Sequence, residues 1–153
     1  MRWIHAGGAL CLALAAPASV LAQVALQPGK WELTSTFKGL PFGGDGERTR
    51  TACLSAAALG TFPEKALIDI SPPPSDDASS PAPPQCEYAQ ARRNGAKSSW
   101  SVSCTEPHAS GTGSATMHSP QQMELHEKLE VKVGFMSRSI QHDVRARRVG
   151  ECS

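Results

Sequence analysis

Histidine, glutamate and arginine side chains in the C-terminal half of this chain are its best candidates for acid–base or ligand chemistry. The chain contains no GxSxG and no HExxH motif, since His126-Glu127-Lys128-Leu129-Glu130 lacks the second histidine that a zinc site of that type requires. Serine, histidine and aspartate all occur, but no spacing nominates a catalytic triad. We therefore expect no enzyme activity and no cofactor.

Four histidines follow the N-terminal leader: His108, His118, His126 and His142. Successive residues of a strand point to opposite faces of its sheet. This alternation places His126 toward solvent and His142 toward the apolar face, so the two cannot bind one metal ion from adjacent strands. Surface or partly buried histidines are the better interpretation, and we expect no metal site.

Glu127 interrupts an otherwise apolar strand face. If the last two strands pair with Val133 opposite Ile140, Glu127 and Arg148 become diagonal neighbours on that face. A carboxylate there costs free energy unless it is paired, and arginine offers a two-pronged partner. The alternative is that both side chains lie in water at the rim and contribute little. Glu127, Arg148 and His142 are therefore the candidate ion-pair or ligand-anchoring residues.

Cysteine usage indicates an oxidising compartment. Apart from Cys11 in the leader, the chain has Cys53, Cys86, Cys104 and Cys152. An even number in an exported domain of moderate size is typical of two disulfides. Of the three pairings that four cysteines allow, we favour Cys86–Cys104 with Cys53–Cys152. A zinc site of four thiolates is disfavoured because no close CxxC spacing is present.

Asn94-Gly95 lies between two strand-like runs, which is the strongest short-range signal for a β-hairpin. A bridge between the flanking cysteines requires that they oppose each other, because a shift by one residue turns one of them to the other face. This register predicts a three-residue loop, Asn94 to Ala96. It also places Tyr88 opposite Val102 and Gln90 opposite Trp100.

Alternating apolar and polar residues predict further strands along the chain. The segments are Lys30 to Lys38, Glu47 to Cys53, Gly113 to His118, Met123 to Val133 and Ser139 to Val149. Ser55 to Leu67 is alanine-rich and predicts one short helical segment, interrupted near Gly60 and Pro63. The fold class is therefore all-β and antiparallel, with about seven strands and two disulfides. Because no long helix is available to cover the apolar face, we expect a strongly curled sheet, an open barrel or a sandwich.

Residues 1–22 have the features of a signal peptide: Arg2, an uncharged apolar stretch, and small residues before a cleavage site after Ala22. A membrane anchor is disfavoured because the apolar run is short. Removing Arg2 leaves 14 of the 15 basic residues to balance 14 acidic ones, which argues against nucleic acid as a partner. We expect a periplasmic or secreted protein without a transmembrane segment after cleavage.

Residues 23–153 then form a single β domain. Within it, the segment Ser71 to Gln85 carries six of the twelve prolines and no large apolar residue. Such a composition cannot bury enough surface to offset its ordering entropy, so we interpret it as a flexible loop. A proline-rich recognition site at Pro81 to Pro84 is the alternative.

The order of several motifs resembles the bacterial family called domain of unknown function 3617. They are Pro28-Gly29-Lys30-Trp31-Glu32-Leu33-Thr34, Cys53-Leu54, the Asn94-Gly95 hairpin ending in Trp100 and Cys104, and Arg147-Arg148-Val149-Gly150-Glu151-Cys152. The resemblance covers nearly the whole mature chain. It implies an exported protein of the Gram-negative envelope with a β-rich fold, and it implies no activity, substrate or catalytic residue.

Two functions fit these observations. The first is a non-catalytic interaction or structural module, with an envelope protein as its partner. The alternative is a carrier of a small apolar ligand, lipocalin-like by analogy only. The inner face distinguishes them. An interior filled by Trp31, Phe37, Trp100 and Met123 indicates a module, whereas an open apolar pocket of several hundred Å³ indicates a carrier.

Overall fold

The computed structural model describes residues 25–40, 45–60, 62–71, 85–105 and 108–152. The predicted signal peptide and most of the predicted proline-rich loop (72–84) lie outside the described residues. The described chain forms seven strands and two short helices. These are β1 Gly29–Lys38, β2 Gly46–Leu54, α1 Ala56–Leu59, α2 Pro63–Ile70, β3 Cys86–Asn94, β4 Lys97–Cys104, β5 Ala109–Ser119, β6 Gln122–Val133 and β7 Met136–Gly150.

The strands form one antiparallel sheet in the order β2-β1-β7-β6-β5-β4-β3. The predicted antiparallel β fold is confirmed, but the sheet is neither closed nor strongly curled. Strands β2 and β3 are its edges. The prediction of strong curl assumed that no helix covers the apolar face, and the structure provides that cover through α1 and α2.

The two helices lie against the apolar face and complete the core. Ser55 caps α1 by accepting a hydrogen bond from the Ala58 N–H, and Pro63 opens α2 at a position that needs no N–H. The expected interruption near Gly60 and Pro63 is thus confirmed, with two helices in place of one segment. The core joins helical and strand residues: Leu26, Trp31, Leu33, Leu54, Leu59, Leu67, Trp100, Ala115, Met117, Met123, Leu125, Val144 and Ala146. Neither helix in the described part of the chain has the length and hydropathy to cross a bilayer.

A buried carboxylate attaches α2 to the sheet. Glu64 is fully buried, and its two oxygens accept hydrogen bonds from the Ser98 hydroxyl at 2.5 Å and the Arg93 guanidinium at 2.7 Å. A buried carboxylate is tolerated when both charge and hydrogen bonds are matched. The helix is therefore fixed over the β3–β4 hairpin by three polar side chains.

The β3–β4 hairpin differs from its predicted form at the turn. Cys86 opposes Cys104 as predicted, but near the tip Asn94 opposes Lys97, so the loop has two residues, Gly95 and Ala96. A β-bulge between Ala89 and Arg92 absorbs the extra residue. The predicted three-residue loop was wrong because a bulge changes the register within one hairpin.

The β6–β7 register also differs from the predicted one. Val133 opposes Met136, not Ile140, around a two-residue turn at Gly134 and Phe135. Leu129 is the residue opposite Ile140. The difference is four residues, an even number, so every side chain keeps its predicted face while its partners change.

Both predicted disulfides are present. Cys86–Cys104 joins the open ends of β3 and β4, and Cys53–Cys152 joins edge strand β2 to the segment after β7. Their sequence separations are 18 and 99 residues. The second bridge therefore restricts a far larger part of the unfolded chain.

We expect the long-range disulfide to contribute more to stability. Chain entropy predicts a loss of about 4.7 kcal/mol for Cys53→Ser with Cys152→Ser, and about 3 kcal/mol for Cys86→Ser with Cys104→Ser. Urea unfolding of both double variants measures these losses, and non-reducing peptide mapping checks the pairing. Recovery of a Cys53–Cys86 peptide, or a larger loss from the short-range pair, would contradict the expectation.

Candidate functional site

A row of polar and aromatic side chains crosses the buried face of the sheet from β4 to β1. Direct cross-strand pairing aligns Trp100, Gly113, Glu127, His142 and Phe37 in that order. All four side chains in this row are buried. We call Trp100, Glu127, His142 and Ser35 the buried polar row, because Ser35 lies diagonally from His142 and joins it by a hydrogen bond.

Glu127 is the centre of the buried polar row. Its Oε1 accepts a hydrogen bond from the Trp100 indole N–H at 3.2 Å, and its Oε2 lies 3.2 Å from Nδ1 of His142. Nε2 of His142 lies 3.3 Å from the Ser35 hydroxyl. An ionised carboxylate only accepts, so the consistent arrangement has Nδ1–H of His142 donating to Glu127 and Nε2 accepting from the Ser35 hydroxyl.

Gly113 permits the contact between Trp100 and Glu127. A Cβ atom at Gly113 would lie only 2.0 to 2.3 Å from atoms of the Trp100 indole ring. The indole therefore crosses β5 directly over this glycine to reach β6. Any side chain here would displace the ring and leave the carboxylate without one donor.

Ser35, His142 and Glu127 have the residue types and hydrogen-bond order of a nucleophile, base and acid. All three side chains are buried. Ser35 is 0% exposed, His142 is 7% exposed, and the Phe37 ring is stacked on the imidazole with centroids 4.3 Å apart. The row therefore satisfies buried polar groups.

The structure does not bring Glu127 and Arg148 together. Glu127 opposes His142, where the sequence predicted Ala146. Arg148 instead donates to the Pro28 carbonyl at 2.7 Å and pairs with Glu151. The proposed ion pair was wrong because it depended on the shifted register. Of the three candidate residues, Glu127 and His142 meet in the buried polar row, and Arg148 ties the start of β1 to the chain end.

The two central histidines face opposite sides of the sheet, as the alternation predicted. His126 is exposed and lies 2.7 Å from the Asp143 carboxylate, whereas His142 is buried. Within the described residues, no three His, Cys, Asp or Glu side chains are placed to hold a metal ion.

The solvent face of the sheet carries a shallow groove of about 780 Å³, directly behind the buried polar row. We call it the outer groove. Its outward side chains come from five strands: Ala89, Arg92, Ser99, Ser101, Thr112, Ser114, His126, Lys128, Gln141 and Asp143. Hydroxyls from β4 and β5 oppose each other across it, with Ser99 beside Ser114 and Ser101 beside Thr112.

The outer groove contains two basic side chains that form no ion pair among the described residues. Arg92 and Lys128 are exposed and have no ion pair among the described residues, while Asp143 is engaged with His126. The β3 bulge gives Arg92 its direction, since it places Arg92 opposite Ser99 on the outer face and turns Arg93 inward to Glu64. One irregularity thus orients both arginines.

The interior is filled rather than open. Trp31, Phe37, Trp100 and Met123 are all buried, with exposed fractions of 0 to 8%. A second cavity of about 490 Å³ lies outside the sheet core, between α1 and α2. Its lining is partly apolar, from Leu54, Ala57, Ala58, Phe62, Ala66 and Ile70, with Lys65 and Asp69 at its rim.

Sequence reasoning missed Ser35, Trp100 and Arg92 as site residues. Ser35 shares one strand face with Trp31, Leu33 and Phe37, so a hydroxyl on the apolar face was visible in the pattern. The hydrogen-bond partner of the Trp100 indole could be identified only from the three-dimensional arrangement of the strands. Arg92 depended on the bulge, which alternation alone does not reveal.

A family model described as "Protein of unknown function (DUF3617)" matches residues 26–152. No curated protein and no solved structure matches the chain.

We expect strong energetic coupling between Glu127 and His142. A double-mutant cycle with Glu127→Gln and His142→Leu should give a coupling free energy of about 1–3 kcal/mol, because each variant leaves the other group buried without its partner. The matched control is the cycle of Glu127→Gln with Arg148→Met, for which we expect a value within about 0.5 kcal/mol of zero. Equal coupling in the two cycles would contradict the observed register.

We expect Tyr88 to resist ionisation. Burial raises the pKa of its phenol above the ordinary value of 10.0, and the charges of Glu127 and Asp69 raise it further. The unfolded chain therefore loses this proton first, so stability is fully present below about pH 10 and falls as the pH rises above it. Tyr88 is the single tyrosine, so tyrosinate absorbance reports this group alone. A folded-state midpoint near 10 would contradict the expectation.

Proposed function

The chain belongs to the DUF3617 family, and from this premise we propose that it is an exported, non-catalytic module that binds an anionic saccharide in the outer groove. The observation that carries the proposal is the groove itself. It combines two unpaired cations with four facing hydroxyls, on the side of the sheet that solvent reaches.

Export is supported by the two disulfides and by the leader-like N-terminal sequence. Disulfides persist in the periplasm and outside the cell, where reducing systems do not remove them. A periplasmic location would also bring the protein close to the charged glycans of the bacterial envelope.

A non-catalytic role is supported by the burial of the buried polar row. The serine and histidine that resemble a nucleophile and base are enclosed by Phe37 and the core. Their hydrogen bonds satisfy one another, which is the expected behaviour of structural polar groups in a protein interior. On the outer face Ser114 lies directly opposite His126, which lies 2.7 Å from the Asp143 carboxylate, but the described residues show no hydrogen bond between Ser114 and that imidazole.

The chemistry of the outer groove favours a hydroxyl-rich anion. Serine and threonine hydroxyls donate and accept, as sugar hydroxyls do, and the rows on β4 and β5 repeat every second residue, about 7 Å apart. Arg92 and Lys128 stand on opposite sides of these rows. A saccharide bearing carboxylate or phosphate groups could contact both cations while its hydroxyls meet the rows.

A carrier of a small apolar ligand is less well supported. The apolar face is filled by aromatic and methionine side chains, and the outer groove is polar. The cavity between α1 and α2 is the remaining place for such a ligand. Native mass spectrometry of the exported protein would reveal a co-purifying apolar molecule and would then favour the carrier.

We expect the protein to bind polygalacturonate, a carboxylated polysaccharide, more tightly than neutral dextran. Arg92→Gln with Lys128→Gln should weaken this binding about tenfold, because two exposed charge contacts each contribute up to about 1 kcal/mol. Isothermal titration calorimetry at low salt measures the affinity, and added salt should weaken it. A phosphorylated dextran in parallel distinguishes phosphate from carboxylate recognition.

The matched control is Arg50→Gln, which removes an exposed arginine of β2 outside the groove and should leave the affinity unchanged. Equal binding of charged and neutral polysaccharide, or equal loss in the control, would overturn the groove as the binding site. Urea unfolding of each variant checks that the fold is retained.

A further inference from the structure

The β6–β7 hairpin ends in a projecting tip with apolar side chains. Strand β5 pairs with β6 only as far as Val131, and β1 pairs with β7 only as far as Gln141. Among the described residues, the hairpin continues beyond these pairings to its turn at Gly134 and Phe135, with one further hydrogen bond from the Lys132 N–H to the His108 carbonyl. We call residues 132–138 the hairpin tip.

Phe135 lies at the apex and is 100% exposed, and the adjacent Met136 is 51% exposed. Single exposed apolar residues are ordinary on protein surfaces. Here, however, two of the three large exposed hydrophobic residues described in the chain are adjacent at one apex. Gly134 has a φ of 63°, which suits a tight hairpin turn, but the turn does not require an aromatic residue beside it. The Phe135 ring does not contribute to the hydrophobic core.

Two cations flank the apolar apex. Lys132 and Arg138 are exposed and form no ion pair within the described residues. Glu130 is the nearest acidic residue along the hairpin, and it opposes Ser139, farther from the apex than either cation. Among the described residues of the hairpin, Phe135 and Met136 therefore lie at the apex, with the two cations behind them.

We propose that the hairpin tip docks on an anionic lipid bilayer, with the Phe135 ring at the level of the headgroups. Aromatic rings favour the interface between lipid and water, and lysine and arginine are attracted to anionic headgroups. A short tip with one ring and two cations suits weak, reversible attachment rather than insertion across the membrane. This inference is independent of the outer groove, whose Arg92 and Lys128 do not belong to the tip.

The test uses protein purified after export, with its N-terminus identified by intact mass, and sedimentation with lipid vesicles. We expect binding to phosphatidylcholine vesicles that contain about a third phosphatidylglycerol, and little binding to phosphatidylcholine alone. Phe135→Ser should weaken binding roughly tenfold, given the apolar surface of one phenylalanine. Lys132→Gln with Arg138→Gln should weaken it and remove the preference for the anionic lipid.

The matched control is Val149→Ser, which removes the third exposed hydrophobic side chain, away from the tip, and should bind like the parent. Because Phe135 is fully exposed, its variant should retain the parent melting temperature.

Phe135→Trp provides a direct readout of contact between the tip and the lipid. Its emission should shift to the blue and be quenched by brominated lipid, while the buried Trp31 and Trp100 stay unquenched.

Absence of parent binding to either vesicle would overturn the proposal. So would equal binding of the parent and Phe135→Ser proteins, or a Phe135→Trp ring that brominated lipid does not quench. A tip that cross-links to an envelope protein without binding vesicles would also overturn it, and would assign the tip to a protein partner. Loss of saccharide binding in the groove variants with normal vesicle binding would leave this proposal standing.

Discussion

The single apolar face of an open sheet has to be kept from water, and α1 and α2 are the helices that cover it. Both helices are short, so neither would be stable on its own in water. Glu64 resolves this by fixing α2 to the β3–β4 hairpin through Arg93 and Ser98. That contact depends in turn on the β3 bulge, which turns Arg93 inward. The helices that cover the sheet, the hydrogen bonds of Glu64 and the β3 bulge therefore depend on one another.

Glu127 is the second buried carboxylate of this fold, and it is satisfied in a different way. The Trp100 indole of β4 reaches it over Gly113 of β5, and His142 contacts it directly from the adjacent β7. The cost of burying the carboxylate is offset by hydrogen bonds in a region of low dielectric, where each bond is stronger and each unpaired group is more costly. Such a row favours one register of the central strands over any other.

Both proposed binding surfaces lie outside the filled core. The outer groove presents hydroxyls and two cations, and the hairpin tip presents an aromatic ring and two cations. Both features are positive on a chain whose overall charge is close to neutral. Their positive charge therefore comes from where the basic residues lie in the fold, and not from an excess of basic residues in the chain. Lys128 in the groove and Lys132 at the tip lie on the same strand, so one hairpin contributes to both surfaces.

The amino-acid sequence by itself indicated where the seven strands lie, which face most of their side chains take outside the end of β3, and which cysteines pair. Alternation specifies faces because a strand repeats every two residues, and the cysteines had to oppose each other to bond. The tertiary structure alone decided the partners within each face. A shift of four residues between β6 and β7 preserves the alternation completely, so the sequence could not distinguish Ala146 from His142 as the neighbour of Glu127. Likewise, no local pattern revealed the β3 bulge that turns Arg92 outward and Arg93 inward. Register depends on the turn geometry and on the packing of buried groups across several strands, and those energies exist only once the sheet has formed.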